Sequence, residues 1–354
     1  VRQPLDRRLL SLTVRRTVSI LSALAVSAIA GGCGGSAAPA TVSTGARVRS
    51  PSQHRPSGGA TEVPASRPSV LTYRPLYSLP APLRDPAFVP LGSSRFALIG
   101  GLSEGDTSTS EVYVGDLTHV TQAATLAIAQ HDAQGALLDG KVYVFGGGSF
   151  SELDHIIRFD PASKAVTTVG TLPSAQSDVA VTPIGNTAYV VGGYDGISWK
   201  RTILAYTPGA AATRVVGTLP VGLRYAAVTA VGGRVLIAGG STPTGASRAI
   251  FSFDPATGSV MRIGTLPQPV THGELAALGG FAYLVGGRGN GASSQTAQIF
   301  AINPTDGRIA AAGRLPTALS DAGLLPTGSG LLVVGGLESS GAVGDSVGEL
   351  TPTR

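Results

Sequence analysis

Short apolar runs recur along the chain, and each ends at a glycine doublet. The runs are residues 96–99, 142–145, 188–191, 235–238, 282–285 and 331–334. The doublets that follow are Gly100-Gly101, Gly146-Gly147, Gly192-Gly193, Gly239-Gly240, Gly286-Gly287 and Gly335-Gly336, with steps of 46, 46, 47, 47 and 49 residues between second glycines. The runs are too short for helices and rich in β-branched residues, so they predict buried strands. Tight-turn pairs precede four of them: Asp139-Gly140, Gly185-Asn186, Gly232-Gly233 and Gly279-Gly280. Such pairs supply the positive φ of two-residue hairpins, and another apolar run lies before each turn. After each doublet come a variable polar loop, a strand ending at an Asp-Pro-like step, and a fourth strand ending at Leu-Pro, as at Leu172-Pro173, Leu219-Pro220, Leu266-Pro267 and Leu315-Pro316. A period of this length signals stacked units that cannot bury their apolar faces alone, and four antiparallel strands per unit predict propeller blades.

The order apolar–Gly-Gly, polar loop, aromatic-Asp-Pro, strand, Leu-Pro resembles the kelch repeat. Phe159-Asp160-Pro161 and Phe253-Asp254-Pro255 carry its aromatic-Asp-Pro step. The Trp usual six residues later is replaced here by Val166, Thr213, Val260 and Ile309, all able to form strand. The resemblance covers residues 71–354 and implies an all-β, six-bladed propeller of the broad galactose-oxidase-like type. The last repeat stops at Thr351-Pro352 without a fourth strand, while an extra Leu79-Pro80 stands before the first complete repeat. Residues 71–79 are therefore expected to supply the outer strand of blade six. Alignment on Leu-Pro puts Tyr73 in the slot of Val166 and Val260, and Pro75 is tolerated because that strand is an edge.

The first 69 residues read differently. Arg2, Arg7, Arg8, Arg15 and Arg16 precede an apolar stretch at 18–30, which is followed by Gly31-Gly32-Cys33. The stretch has signal-peptide length, and small residues before the chain's only cysteine resemble a bacterial lipobox. Residues 1–32 are expected to be a lipoprotein signal peptide, with Cys33 the lipidation site. Export by the general or the twin-arginine route stays open. Residues 33–69 then form the lipidated Cys33 and a disordered Ser/Pro/Ala/Gly-rich tether, spanning ~33 Å on average. The expected address is the outer face of the cytoplasmic membrane, in the cell envelope. With one cysteine, no intramolecular disulfide can form.

Charge narrows the partners. The chain carries 26 Lys and Arg against 21 Asp and Glu, but residues 70–354 hold 17 against 19. A near-neutral propeller at 70–354 has no footprint for a phosphate backbone, so nucleic acid is not an expected partner.

Candidate chemistry follows from counting past each Leu-Pro. The fourth and fifth residues are Arg84-Asp85, His131-Asp132, Ser177-Asp178, Arg224-Tyr225, Thr271-His272 and Ser320-Asp321, one polar pair per blade. They are expected to rim the channel on the face with the long loops. One reading makes them a ligand pocket, with Asp85, Asp132, Asp178 and Asp321 as acceptors, Arg84 and Arg224 as anion clamps, and Tyr225 and His272 as stacking or donor groups. The other makes them turn caps. Four aspartates on separate blades do not make a calcium loop, so neither metal nor cofactor is expected. His131 and Asp132 are strand neighbours facing opposite ways, and nothing resembles a nucleophile elbow. The copper-radical oxidases of this propeller type need a Cys–Tyr crosslink, which Cys33 cannot supply. Trp199, the only tryptophan, stands in the blade-three loop as either a recognition residue or a cover for the blade edge.

Three classes of function remain. The leading one is a monomeric, non-catalytic binding lipoprotein whose loop-rich face takes a protein, a glycan or a small solute of the envelope. The resemblance also admits a sugar mutarotase or epimerase, with acid and base drawn from Asp132, Asp178, His131, His272, Arg84 and Arg224. The third is a structural scaffold in an envelope complex. Fold does not choose among them.

Overall fold

The computed structural model describes residues 67–353, Ala211 excepted. The expected signal peptide, Cys33 and the tether up to residue 66 lie outside the described residues. The described residues form six four-stranded antiparallel blades and no helix. The innermost strands are Ala87–Pro90, Gln134–Leu138, Ala180–Ile184, Ala227–Val231, Glu274–Leu278 and Gly323–Pro326. Each neighbours the next, and the sixth neighbours the first, so the ring is closed.

Closure uses the N-terminal strand, as the repeat count predicts. Leu71–Ser78 pairs antiparallel with Ser346–Pro352 and becomes the outer strand of blade six. The register agrees with the sequence alignment. Tyr73 lies opposite Leu350, as Val166 lies opposite Phe159 and Val260 opposite Phe253. Arg74 adds an ion pair to the buried Glu349 at 2.8 Å. Blade six is thus made from both ends of the domain.

Among the described residues the apolar core is divided rather than central. Six apolar clusters occur, one at each seam between neighbouring blades. This is how sheets with two apolar faces bury both. The glycine doublets latch these seams. Each second glycine donates its N–H to a carbonyl in the connection that leads into the following blade, for example Gly101 to Gln130 at 2.8 Å and Gly336 to Leu83 at 2.9 Å. A Cβ on the preceding glycine would strike that same carbonyl, and the backbone there has φ near +60°. Only glycine meets both demands.

Candidate functional site at the channel collar and loop face

The second residue of every polar pair adopts a left-handed backbone: Asp85, Asp132, Asp178, Tyr225, His272 and Asp321, with φ between 50° and 58°. Their main chains are joined head to tail. Asp85 donates to Asp321, Asp132 to Asp85, Asp178 to Asp132, Tyr225 to Asp178, His272 to Tyr225 and Asp321 to His272, at 2.9–3.3 Å. The six bonds form a closed collar. Residues paired this closely have Cα atoms ~5 Å apart, so a six-membered collar has a radius of only ~5 Å.

The collar's side chains narrow that opening. Tyr225 reaches across from blade four and donates to Asp132 Oδ2 of blade two at 3.0 Å. Its ring stacks on His272, with centroids 3.7 Å apart. Asp178 and Asp321 are buried, and the carboxyl groups of Asp85, Asp132 and the ring of His272 are nearly so. Sequence reasoning places these residues around an open mouth or on solvent. In the structure they close the mouth.

Such burial governs the charges. Burial, then Asp321 and Asp132, holds Asp85 well above the usual carboxylate range. Burial raises Asp132 to about 6 against the hydrogen bond from Tyr225. Burial and the nearby Asp132 raise Asp178 to about 7, while Arg224 opposes the shift. Asp85 is close enough to Asp321 and Asp132, and Asp178 to Asp132, for their charges to act on each other. Facing carboxyls repel when ionised, and this repulsion adds to burial in raising Asp85 and Asp178. Burial lowers His272 to about 4, so its ring is neutral. Arg288 donates to its Nε2 at 3.1 Å, which leaves Nδ1 to carry the proton toward Thr271 Oγ1 at 3.0 Å. His131 holds Ser108 Oγ at 2.8 Å through Nδ1, and burial lowers its pKa too.

The two arginines expected as anion clamps are both engaged. Arg84 binds Asp85 at 2.7 Å and Asp106 at 2.6 Å. Arg224 pairs through Nε with Asp178 and lies over the ring of Tyr194, 4.4 Å from its centroid. Trp199 packs edge-on against Tyr194 at 5.1 Å, and its backbone leaves no room for a side chain at Gly222. It is half-buried and covers the blade.

Two features escape the sequence reading. Phe150 is fully exposed at 108% and Ile197 at 83%, on the loops of blades two and three. The two loops touch, because a Cβ on Gly196 would lie 2.9 Å from Glu152 Oε2. Below the collar, the inner strands enclose a cavity of about 270 Å³. It begins at the collar residues and runs to Pro90, Pro183 and Pro326 at the far ends of the inner strands. None of the first residues of the polar pairs lines it. The cavity thus runs the length of the inner strands, from the collar toward the short-turn face. Its one ionisable residue beyond the collar is Glu274, the sole charged residue of the six inner strands. That isolation in an apolar strand was the available sequence signal.

No protein-family model matches the chain. A segment of 50 residues is 42% identical to human Kelch-like protein 4; it covers 14% of this chain and 7% of the human protein. The solved structure of YjhT superposes with a TM-score of 0.67 at 18% identity, covering 79% of this chain and 99% of that one. With the six blades and their repeats, these likenesses identify the fold as a kelch-type six-bladed β-propeller.

Proposed function

We propose that the protein is a non-catalytic binding module of the cell envelope, held at the outer face of the cytoplasmic membrane through a lipid on Cys33, and that it takes a protein partner on its loop-rich face. The single observation that carries this reading is the exposed pair Phe150 and Ile197 on two touching loops. Isolated exposed apolar residues are ordinary, but two large ones on adjoining loops offer a partner two apolar anchors. The polar and aromatic groups beside them, Tyr194, Trp199 and Arg224, are already fixed by mutual packing, which lowers the ordering cost of binding. The closed collar argues against a solute or glycan entering the channel from this face. The acid and base groups that an epimerase would use are buried or engaged with one another there.

The test is crosslinking on intact envelopes with the wild-type chain, Phe150→Asp/Ile197→Asp, and Met261→Asp as an exposed apolar control on an outer strand. Crosslinked species common to wild type and the control, and lost in the double variant, are the expected result. Identical crosslinks in all three would move the site elsewhere. Cys33→Ser is expected to abolish membrane attachment. A mature wild-type protein without diacylglycerol would remove the anchor from the proposal.

A further inference from the structure

The propeller is near neutral as a whole, but its charge is divided between two halves of the ring. Residues 174–316, which make blades three to five, hold ten Lys and Arg against five Asp and Glu; the rest of 70–354 holds seven against fourteen. Two of those five acids, Asp178 and Glu274, line the channel and do not face outward. The other three, Asp195, Asp254 and Asp306, are paired with Lys200, Arg234 and Arg308. Arg201, Arg214, Arg248, Arg262 and Arg314 are exposed and form no ion pair among the described residues.

These five lie on or beside the outer strands Arg214–Thr218, Ser259–Thr265 and Ile309–Arg314. Arg201 and Arg248 are fixed there. Each donates Nε to the carbonyl that follows the outer strand of its blade, Leu219 at 2.8 Å and Leu266 at 2.7 Å. The same wall carries Met261 at 60% exposure and Val215 at 58%. The other outer strands lack this charge. Val120–Gln130 and Val166–Thr171 have none, and the one charge on Leu71–Ser78, Arg74, is held by Glu349.

Unpaired arginines beside exposed apolar side chains fit a surface with anionic groups and an apolar layer beneath them. An anionic bilayer has both. A polyanion without such a layer leaves Met261 and Val215 unused. The course of the chain points the same way. Leu71 bridges Gly313 of blade five, and Ser69 donates its N–H to Tyr283 Oη of the same blade at 2.9 Å. Residues 1–66, which hold the expected membrane attachment, therefore join the fold beside blade five.

We propose that the outer wall of blades three to five docks on an anionic phospholipid surface, with the five arginines toward headgroup phosphates and Met261 and Val215 at the acyl boundary. The ring then stands on its side, and its loop-rich face stays open to a partner. The inference does not depend on what that face binds.

The experiment uses the full chain with Cys33→Ser, so that the result is independent of lipidation and Met261→Cys supplies the only thiol. An environment-sensitive dye at 261 is read on vesicles of phosphatidylglycerol and phosphatidylcholine, and on vesicles of phosphatidylcholine alone. Ile128→Cys places the same dye on the uncharged outer strand of blade one. The dye at 261 is expected to shift to the blue, and to meet a lipid-borne quencher, on the anionic vesicles only; the dye at 128 is expected to stay silent. Salt near about 1 M, where the Debye length is ~3 Å, should abolish the response. A basic residue near an anionic surface changes the equilibrium about fivefold, so Arg214→Gln/Arg262→Gln/Arg314→Gln should lower the ratio of docked to free propeller by about a hundredfold, with melting unchanged. Phe150→Asp/Ile197→Asp should keep the dye response, which separates failure of the loop reading from failure of this one. Equal response at 261 on both vesicles, an equal response at 128, or a wild-type response in the folded triple variant would each overturn the proposal. So would the same shift with a DNA duplex of equal phosphate content, which would make the wall a general polyanion site.

Discussion

The closing strand offers the sharpest test of the architecture. Leu71 is 2% exposed at the start of that strand and belongs to the cluster at the seam of blades five and six. Its backbone pairs with Pro352 of blade six and bridges Gly313 of blade five. Leu71→Ala removes three buried carbons where the surrounding sheets cannot collapse fully, which costs ~2–5 kcal/mol. A domain of ~285 residues has an unfolding entropy near ~0.6 kcal/mol/K, so a ~3 kcal/mol loss lowers the melting temperature by ~5 °C. Removing residues 67–78 goes further. It strips the outer partner from Ser346–Pro352 and exposes an edge, Arg74 leaves the buried Glu349 unpaired, and the ring loses its tie between first and last strands. Calorimetry measures the melting, and hydrogen exchange reads the amides of Ser346–Pro352, which should lose protection selectively in the truncated chain. Removing residues 34–66 is the control and should leave both readouts unchanged. If Leu71→Ala and the 67–78 deletion both melt within ~1 °C of wild type, the strand does not close the ring and the reasoning fails.

Other consequences can be checked in parallel. Asp132, Asp178 and Glu274 are raised by burial to about 6, 7 and 8, so the native state holds their protons longer than the unfolded chain does. The associated stability is fully present below the ordinary carboxylate value and is lost as pH climbs through about 8. Melting temperature should therefore fall between about pH 5 and about pH 9, and Glu274→Gln should flatten the upper part of that slope; a rise over this range would contradict the buried collar. Arg224→Ala leaves Asp178 without its cation and loosens the packing on Tyr194, so it should destabilise more at pH 8 than at pH 5, as thermal scans at the two pH values would show. Asp160→Ala removes the turn contacts to Ala162 and Ser163 and the ion pair to Lys141 on the short-turn face; it should lower stability without altering partner crosslinking.

Blades and closure were legible in the sequence because the apolar run with its glycine doublet recurs six times, a two-residue turn follows the inner strand in four of the repeats, and the count leaves one outer strand to be supplied from elsewhere. The alignment of Tyr73 with Val166 and Val260 even fixed a register that the pairing with Leu350 reproduces. The polar pairs were equally legible as positions. Their exposure was not, because it depends on the radius at which six blades close, and no single repeat encodes that radius. Spacing likewise cannot reveal that Arg84 and Arg224 are engaged by Asp85, Asp106 and Asp178. Phe150 and Ile197 sit in loops without periodicity, so nothing in the pattern distinguished them from buried apolar residues.

The collar has a consequence for how this protein can change. Its ring is tied by main-chain hydrogen bonds, so the ring itself does not depend on the side chains at its six positions, which decide instead how fully the mouth is filled. The one restriction is the left-handed backbone, which Asp and Asn accept readily, glycine freely, and β-branched residues poorly. Tyr225 occupies that conformation despite its bulk, the least comfortable choice among the six. Diversity at the heart of the propeller can therefore accumulate one blade at a time, without renegotiating the fold. A library of Asn, Asp, Gly and His at these six positions should yield mostly folded rings, whereas Val or Ile at any one of them should not.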